Sequence, residues 1–91
     1  MTIERRVDAR GLLCPLPVLR LRKVLLELPP GATVRLIATD PMAAVDVPHF
    51  CRQGGHAMVA MRELDEGALE FTVHRGPAAP SAAGGLTPED I

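Results

Sequence analysis

Tryptophan and tyrosine are absent, and Phe50 and Phe71 are the only aromatic residues among 91. That withholds the stacking platforms on which single-stranded nucleic acids are bound. Neither sign of charge dominates, since 10 Lys and Arg meet 11 Asp and Glu for a formal net charge of −1. Nucleic-acid-binding domains are usually strongly basic, so direct binding to RNA or DNA is not expected, although similar sandwich folds occur among RNA-binding domains. Two cysteines cannot build a disulfide framework. No run approaches the roughly 18 apolar residues of a membrane span, and the opening MTIERRVDARGLLCPLP has no continuous apolar stretch of the kind a signal peptide needs. The expected setting is the reducing cytoplasm, where both thiols stay free unless they do chemistry. No phosphate-binding loop or dinucleotide glycine pattern is present. His49 and Cys51, two apart on a helix, point about 200° away from each other and make a poor chelate. With no set of four convergent ligands, neither a metal nor a cofactor is expected.

What is there is the material of one small domain. Hydrophobic residues make up 47% and charged residues 23%, which argues for a folded chain. A chain this short buries only about 60–65% of its unfolded surface, so a cavity that engulfs a large cofactor is not expected. Any chemistry belongs near the surface. Charge is uneven: residues 1–23 hold six basic and two acidic residues, and the remainder holds four basic and nine acidic. Two readings are open, a solvated face on each side or an acidic partner docking on the N-terminal half.

Periodicity divides the chain into elements. Residues 3–8 make a weak first strand, followed by a turn. From Cys14, the residues Val18, Leu21, Leu25 and Leu28 recur at helical spacing, and Leu19 and Leu26 widen the stripe. Pro15 suits the first helical position and Pro17 the first turn, while Pro29-Pro30-Gly31 ends the helix. Residues 33–38 read as a buried strand. Residues 42–53 read as a second helical region: a short turn over 42–45, then a helix capped by Asp46 with Pro48 in its first turn. Residues 57–62 and 69–74 are strands joined by a turn at 64–67, the last alternating Leu69, Phe71 and Val73 against Glu70, Thr72 and His74. The order β-α-β-α-β-β predicts an α/β two-layer sandwich: a mixed four-stranded sheet with two helices on one face. The domain is expected over 1–75, with residues 76–91, rich in Gly, Pro and small residues, as a flexible tail.

Cys14 stands out by position. Placed at the helix N-cap, it would meet the positive end of the helix dipole and the free Leu16 N–H, both of which favour a thiolate. Arg10, Arg20 and Arg22 add positive field. The competing reading, a small buried apolar cysteine, stays open on these grounds. Cys51, beside Phe50 in the second helix, reads as a core residue. Asp40 and Asp46 read as turn and cap residues.

The stretch Asp8-Ala9-Arg10-Gly11-Leu12-Leu13-Cys14-Pro15-Leu16-Pro17 resembles the signature of the TusA/SirA family of small sulfur carriers, marked by C-P-x-P at the start of helix one. Arg22-Lys23, Thr39-Asp40-Pro41, Asp46, Phe50-Cys51 and His56 follow at family-like spacing, so the resemblance covers about residues 5 to 75. It implies the sandwich fold derived above, with Cys14 accepting sulfane sulfur as a persulfide and handing it on. It further implies Gly11, Pro15 and Pro17 as support for the cysteine loop and Arg10, Arg22, Lys23 and Asp40 as partner-binding residues. The implied partners are a sulfur-donor protein, such as a cysteine desulfurase or rhodanese, and a sulfur-acceptor protein, met by a monomer. The destination implied is 2-thiouridine in tRNA or sulfur metabolism. Residue 16 is Leu where some relatives carry Glu, which bears on partner choice. The alternative from another class is a non-catalytic interaction or regulatory module in which C-P-x-P is only a helix cap.

Overall fold

The computed structural model describes residues 3–77. The elements run β1 (Glu4–Ala9), α1 (Leu16–Glu27), β2 (Thr33–Ala38), α2 (Ala43–Gly54), β3 (Ala57–Glu63), a single 3-10 turn at Asp65–Gly67, and β4 (Leu69–His74). The sheet order is β1-β2-β4-β3. β1 and β2 are parallel, and β4 is antiparallel to both β2 and β3. The sheet is therefore mixed, as the element order predicts.

Alternation along the strands builds the core. Val7 and Ala9 of β1, Val34, Leu36 and Ala38 of β2, and Phe71 and Val73 of β4 are buried on one face. Leu21, Leu25 and Leu28 from the α1 segment and Ala43, Val47 and Cys51 of α2 close over that face in the same cluster. Leu36 lies opposite Phe71 and Val34 opposite Val73, so the central strand pair is joined by buried apolar cross-strand pairs. The stripe of α1 is narrower than its sequence reads: Leu19 and Leu26 are exposed rather than core. A stripe of one helix against one sheet needs only the residues at 21, 25 and 28, and the flanking leucines find no second surface.

The open face of the sheet is polar. Glu4 of β1, Arg35 of β2, Glu70 of β4 and Arg62 of β3 form a row of alternating charges, with N–O distances of 2.6, 3.7 and 3.0 Å along it. Glu70 is thereby buried between two arginines, although the alternation of β4 places it on the solvent side.

Two predicted boundaries change. The 42–53 region is not a turn followed by a helix. It is one continuous helix from Ala43, with Asp46 in its first turn and Pro48 inside it. Pro48 lies past the four N–H groups that a helix start leaves unbonded, so it removes one bond to the Ala44 carbonyl, yet α2 runs through it. At the C-terminus, Gly76 belongs to the folded body: it is buried, and its N–H donates to His56 Nδ1 at 2.9 Å. A Cβ there would stand 1.8 Å from the Gly55 carbonyl oxygen, so only glycine fits. Residues 78–91, the greater part of the predicted tail, lie outside the described residues.

Candidate functional site

β1 and β2 are parallel and end in register at Ala9 and Ala38. The loops that follow them, residues 10–15 and 39–42, must therefore leave the same edge of the sheet. This is where open α/β sheets place their sites, because the chain departs from the strands there and exposes backbone donors and side chains together.

The two loops are bonded to each other. The Gly11 N–H donates to Thr39 Oγ1 at 2.9 Å, and the Cys14 N–H donates to Asp40 Oδ2 at 2.6 Å. Gly11 turns the first loop with φ of +82°, a left-handed conformation that a side chain would strain. The other oxygen of Asp40 accepts the Met42 N–H at 3.0 Å, and its carbonyl accepts the Ala43 N–H at 2.9 Å. One carboxylate thus fixes both the cysteine backbone and the start of α2. The N–H groups of Met42 and Cys14 hold the Asp40 carboxyl below the usual carboxylate range.

Cys14 is exposed. Its thiol donates to Asp46 Oδ2 at 2.8 Å, a contact across 32 residues of sequence. Asp46 reaches it from the first turn of α2, so Asp46 faces the cysteine and is not a cap.

The predicted placing of Cys14 at the helix N-cap is corrected. Pro15 occupies that position, after a cis Cys14–Pro15 peptide, and α1 starts at Leu16. Pro17 follows as the second helical residue and is buried. The Leu16 N–H, expected to serve the sulfur, donates instead to the Leu13 carbonyl at 2.8 Å. The expected ionisation is corrected with it. The Cys14 thiol is pushed above its ordinary value, first by its hydrogen bond to Asp46, then by partial desolvation and by the negative charges of Asp46 and Asp40. The Leu16 N–H is spent on Leu13 rather than on the sulfur, and two carboxylates stand where positive field was expected. Arg10 and Arg20 supply none of it. Arg10 forks onto Asp8 at 2.9 and 3.0 Å, holding that carboxyl at about 2, and Arg20 Nη1 donates to the Asp8 carbonyl at 3.3 Å.

The remaining predicted partner residues lie along α1. Lys23 is exposed and Arg22 half-buried. Lys23 and Arg20 join Leu12, Leu16 and Leu19 in lining a shallow groove of about 270 Å³ beside the cysteine loop. Leu13 and Met42 of the two loops, and Leu16 and Val45 in the helices that follow them, are also exposed. Beyond the two carboxylates, the surface around the thiol is apolar, with Arg20 and Lys23 at its border.

Cys51 has the opposite surroundings. It is 2% exposed, and burial pushes its thiol up to about 11. Among the described residues, no group of three or more His, Cys, Asp and Glu side chains is arranged to hold a metal.

The residue that sequence reasoning misjudged is Asp46. Its signal was the spacing of Asp40 and Asp46 across the loop and first turn after β2, at the sheet edge that also carries the C-P-x-P loop.

Comparison with known proteins gives the family. The profile of the family described as "Sulfurtransferase TusA" matches residues 5–75. The "Sulfur carrier protein TusA" of Pseudomonas syringae pv. tomato is 43% identical over 75 residues, covering 82% of this chain and 88% of that protein. Its counterpart in Pseudomonas syringae pv. syringae is 37% identical over the same length and coverage. The crystal structure of a SirA-like protein from Desulfitobacterium hafniense superposes with a TM-score of 0.72 at 29% identity, covering 79% of this chain and 97% of that one. The sandwich, the matched span and these relatives lead to one conclusion: this chain belongs to the TusA family.

Proposed function

We propose that this protein is a sulfur carrier whose Cys14 takes up sulfane sulfur as a persulfide and passes it to an acceptor protein. The observation that carries the reading is the exposed Cys14 thiol, held by its backbone N–H and its Sγ on a loop at the sheet edge. A carrier must present its sulfur to two large partners in turn. A thiol on a protruding loop meets that need, and a thiol in a deep pocket does not.

The chemistry is a thiol–persulfide exchange. Cys14 Sγ attacks the outer sulfur of a donor persulfide, the donor S–S bond breaks, and the donor leaves as a thiol once it has gained the Cys14 proton. An acceptor thiol then attacks the outer sulfur on Cys14 in the same way. Each step exchanges one S–S bond for another, so no oxidant is consumed. Gly11, Pro15 and Pro17 shape the loop that holds Cys14. Lys23, bordering the apolar surface, and Arg22, Arg10 and Asp40 are the residues we assign to donor and acceptor proteins. The setting we assign is the cytoplasm, with a monomer as the working form and tRNA thiolation or sulfur metabolism as the destination. No helix among the described residues is long and apolar enough to cross a membrane.

The test is intact mass after incubation with a cysteine desulfurase and cysteine. The wild-type chain should gain one sulfur, about 32 Da. Cys14→Ser should gain none and Cys51→Ser should gain the same as wild type. A gain that survives Cys14→Ser would end the proposal.

A further inference from the structure

We infer that Asp46 is a catalytic residue of sulfur transfer, taking the proton from Cys14 as its sulfur attacks and returning it to the departing thiol. The inference rests on the carrier reading and deepens it. Its ground is geometric. The thiol donates to Asp46 Oδ2 at 2.8 Å, within reach for direct proton transfer. Asp40 holds the Cys14 N–H at 2.6 Å and, through the Met42 and Ala43 N–H groups, the first turn of the helix that carries Asp46. Both halves of the thiol–carboxylate pair are therefore fixed by one residue, Asp40. The charged groups that act on the sulfur are Asp46 from α2 and Asp40 from the loop before it, while Arg10 and Arg20 engage Asp8.

This arrangement is poor for storing a thiolate. Negative charge on Sγ would sit beside two carboxylates. It suits a nucleophile that stays neutral until attack. As the Cys14–donor S–S bond forms, the donor S–S bond breaks and its electron pair leaves on the donor sulfur. The Cys14 proton moves to the Asp46 carboxylate and then to that donor sulfur. The products are a Cys14 persulfide, a neutral donor thiol and the original Asp46 carboxylate, so charge, protons and electrons balance.

The experiment pairs two readouts on the Cys14 peptide, each followed by mass spectrometry against pH. One is alkylation by iodoacetamide, which reports thiolate alone. The other is sulfur uptake from glutathione persulfide. In Asp46→Asn, alkylation at neutral pH should rise, because the group that suppresses the thiolate is gone. Sulfur uptake should fall by about a hundredfold, the usual worth of a positioned acid–base group. It should also become steeply pH-dependent below the thiol's ionisation, where wild type stays nearly flat. Asp46→Glu, which keeps a carboxylate, should recover part of the uptake, and Asp46→Ser provides the same pair of readouts if the Asn variant does not fold. Uptake that rises together with alkylation in Asp46→Asn would overturn the inference, since Asp46 would then only hold the thiol back. Wild-type protein that alkylates at Cys14 but takes up no sulfur there would instead overturn the carrier reading itself.

Discussion

The two cysteines of this chain are both held as thiols, for opposite reasons. Cys51 is sealed under α2 against the sheet, and loss of solvent raises it to about 11. Cys14 is exposed, and a neighbouring carboxylate is the main cause of its raised value. Burial is a property of the whole fold and yields only when the fold opens. A local charge yields to any change in the local field. On the proposed reading, a partner that brings a cation to Asp40 or Asp46, or proton transfer to Asp46, would release Cys14 without disturbing the core. One cysteine is inert by construction and the other is restrained but available.

Reagent access breaks or confirms this contrast with the largest effect. Iodoacetamide should modify native Cys14 at least roughly a thousandfold faster than Cys51, because Cys51 reacts only through openings of the core whose cost approaches the global stability. In concentrated urea the two rates should converge. Comparable native rates would place Cys51 outside the core.

Stability separates the same two regions. Phe71→Ala, in the same buried cluster as Cys51, should cost about 3–5 kcal/mol in urea denaturation. Cys14→Ser should stay within about 0.5 kcal/mol of wild type, as expected for an exposed position without core contacts. A Cys14→Ser cost similar to the core value would show that the cysteine loop is a structural element.

Asp40 sharpens the comparison further, since it serves both structure and site. Asp40→Ala removes the Met42 N–H acceptor and should cost about 0.5–2 kcal/mol, the range for a lost helix cap. The same change removes one of the charges that restrain Cys14, so alkylation of Cys14 should rise while that of Cys51 does not.

The smallest effect lies at the far end of the sheet. There His56 accepts the Gly76 N–H and stacks against Phe50 with ring centroids 5.7 Å apart. Burial, then the charge of Arg75, holds the imidazole below its ordinary value of 6.5. The unfolded chain therefore takes up a proton first as pH falls. The stability contributed by neutral His56 is complete above pH 6.5 and is lost as pH drops through the lower folded value. Urea midpoints measured at pH 7.5 and 5.5 should fall with pH in wild type and fall less in His56→Asn.

Much of this was legible in the residues themselves. The spacing of Leu21, Leu25 and Leu28 gave the buried face of α1, and the alternation of Leu69 to His74 gave β4. The C-P-x-P stretch singled out the loop that carries the exposed cysteine. What local rules misplace are contacts made across the chain. Pro48 two residues after Asp46 looks like a helix start when read alone, yet α2 begins earlier, and Asp46 is free to face Cys14 from 32 residues away. The sign of the Cys14 shift fails for the same reason. The helix dipole is a local inference, whereas Asp40 and Asp46 arrive through the parallel pairing of β1 with β2. Leu19 and Leu26 continue the helical stripe in sequence, but a single sheet leaves them nothing to cover.

The central claim is that Cys14 is a way station for sulfur, and transfer onward tests it most directly. The chain is charged with radiolabelled sulfur from a cysteine desulfurase, separated from the donor and mixed with an acceptor thiol protein. The account predicts that label sits on the Cys14 peptide before mixing and leaves for the acceptor afterwards, returning that peptide to a free thiol. Label that stays on the chain, or that resides on Cys51, would contradict it.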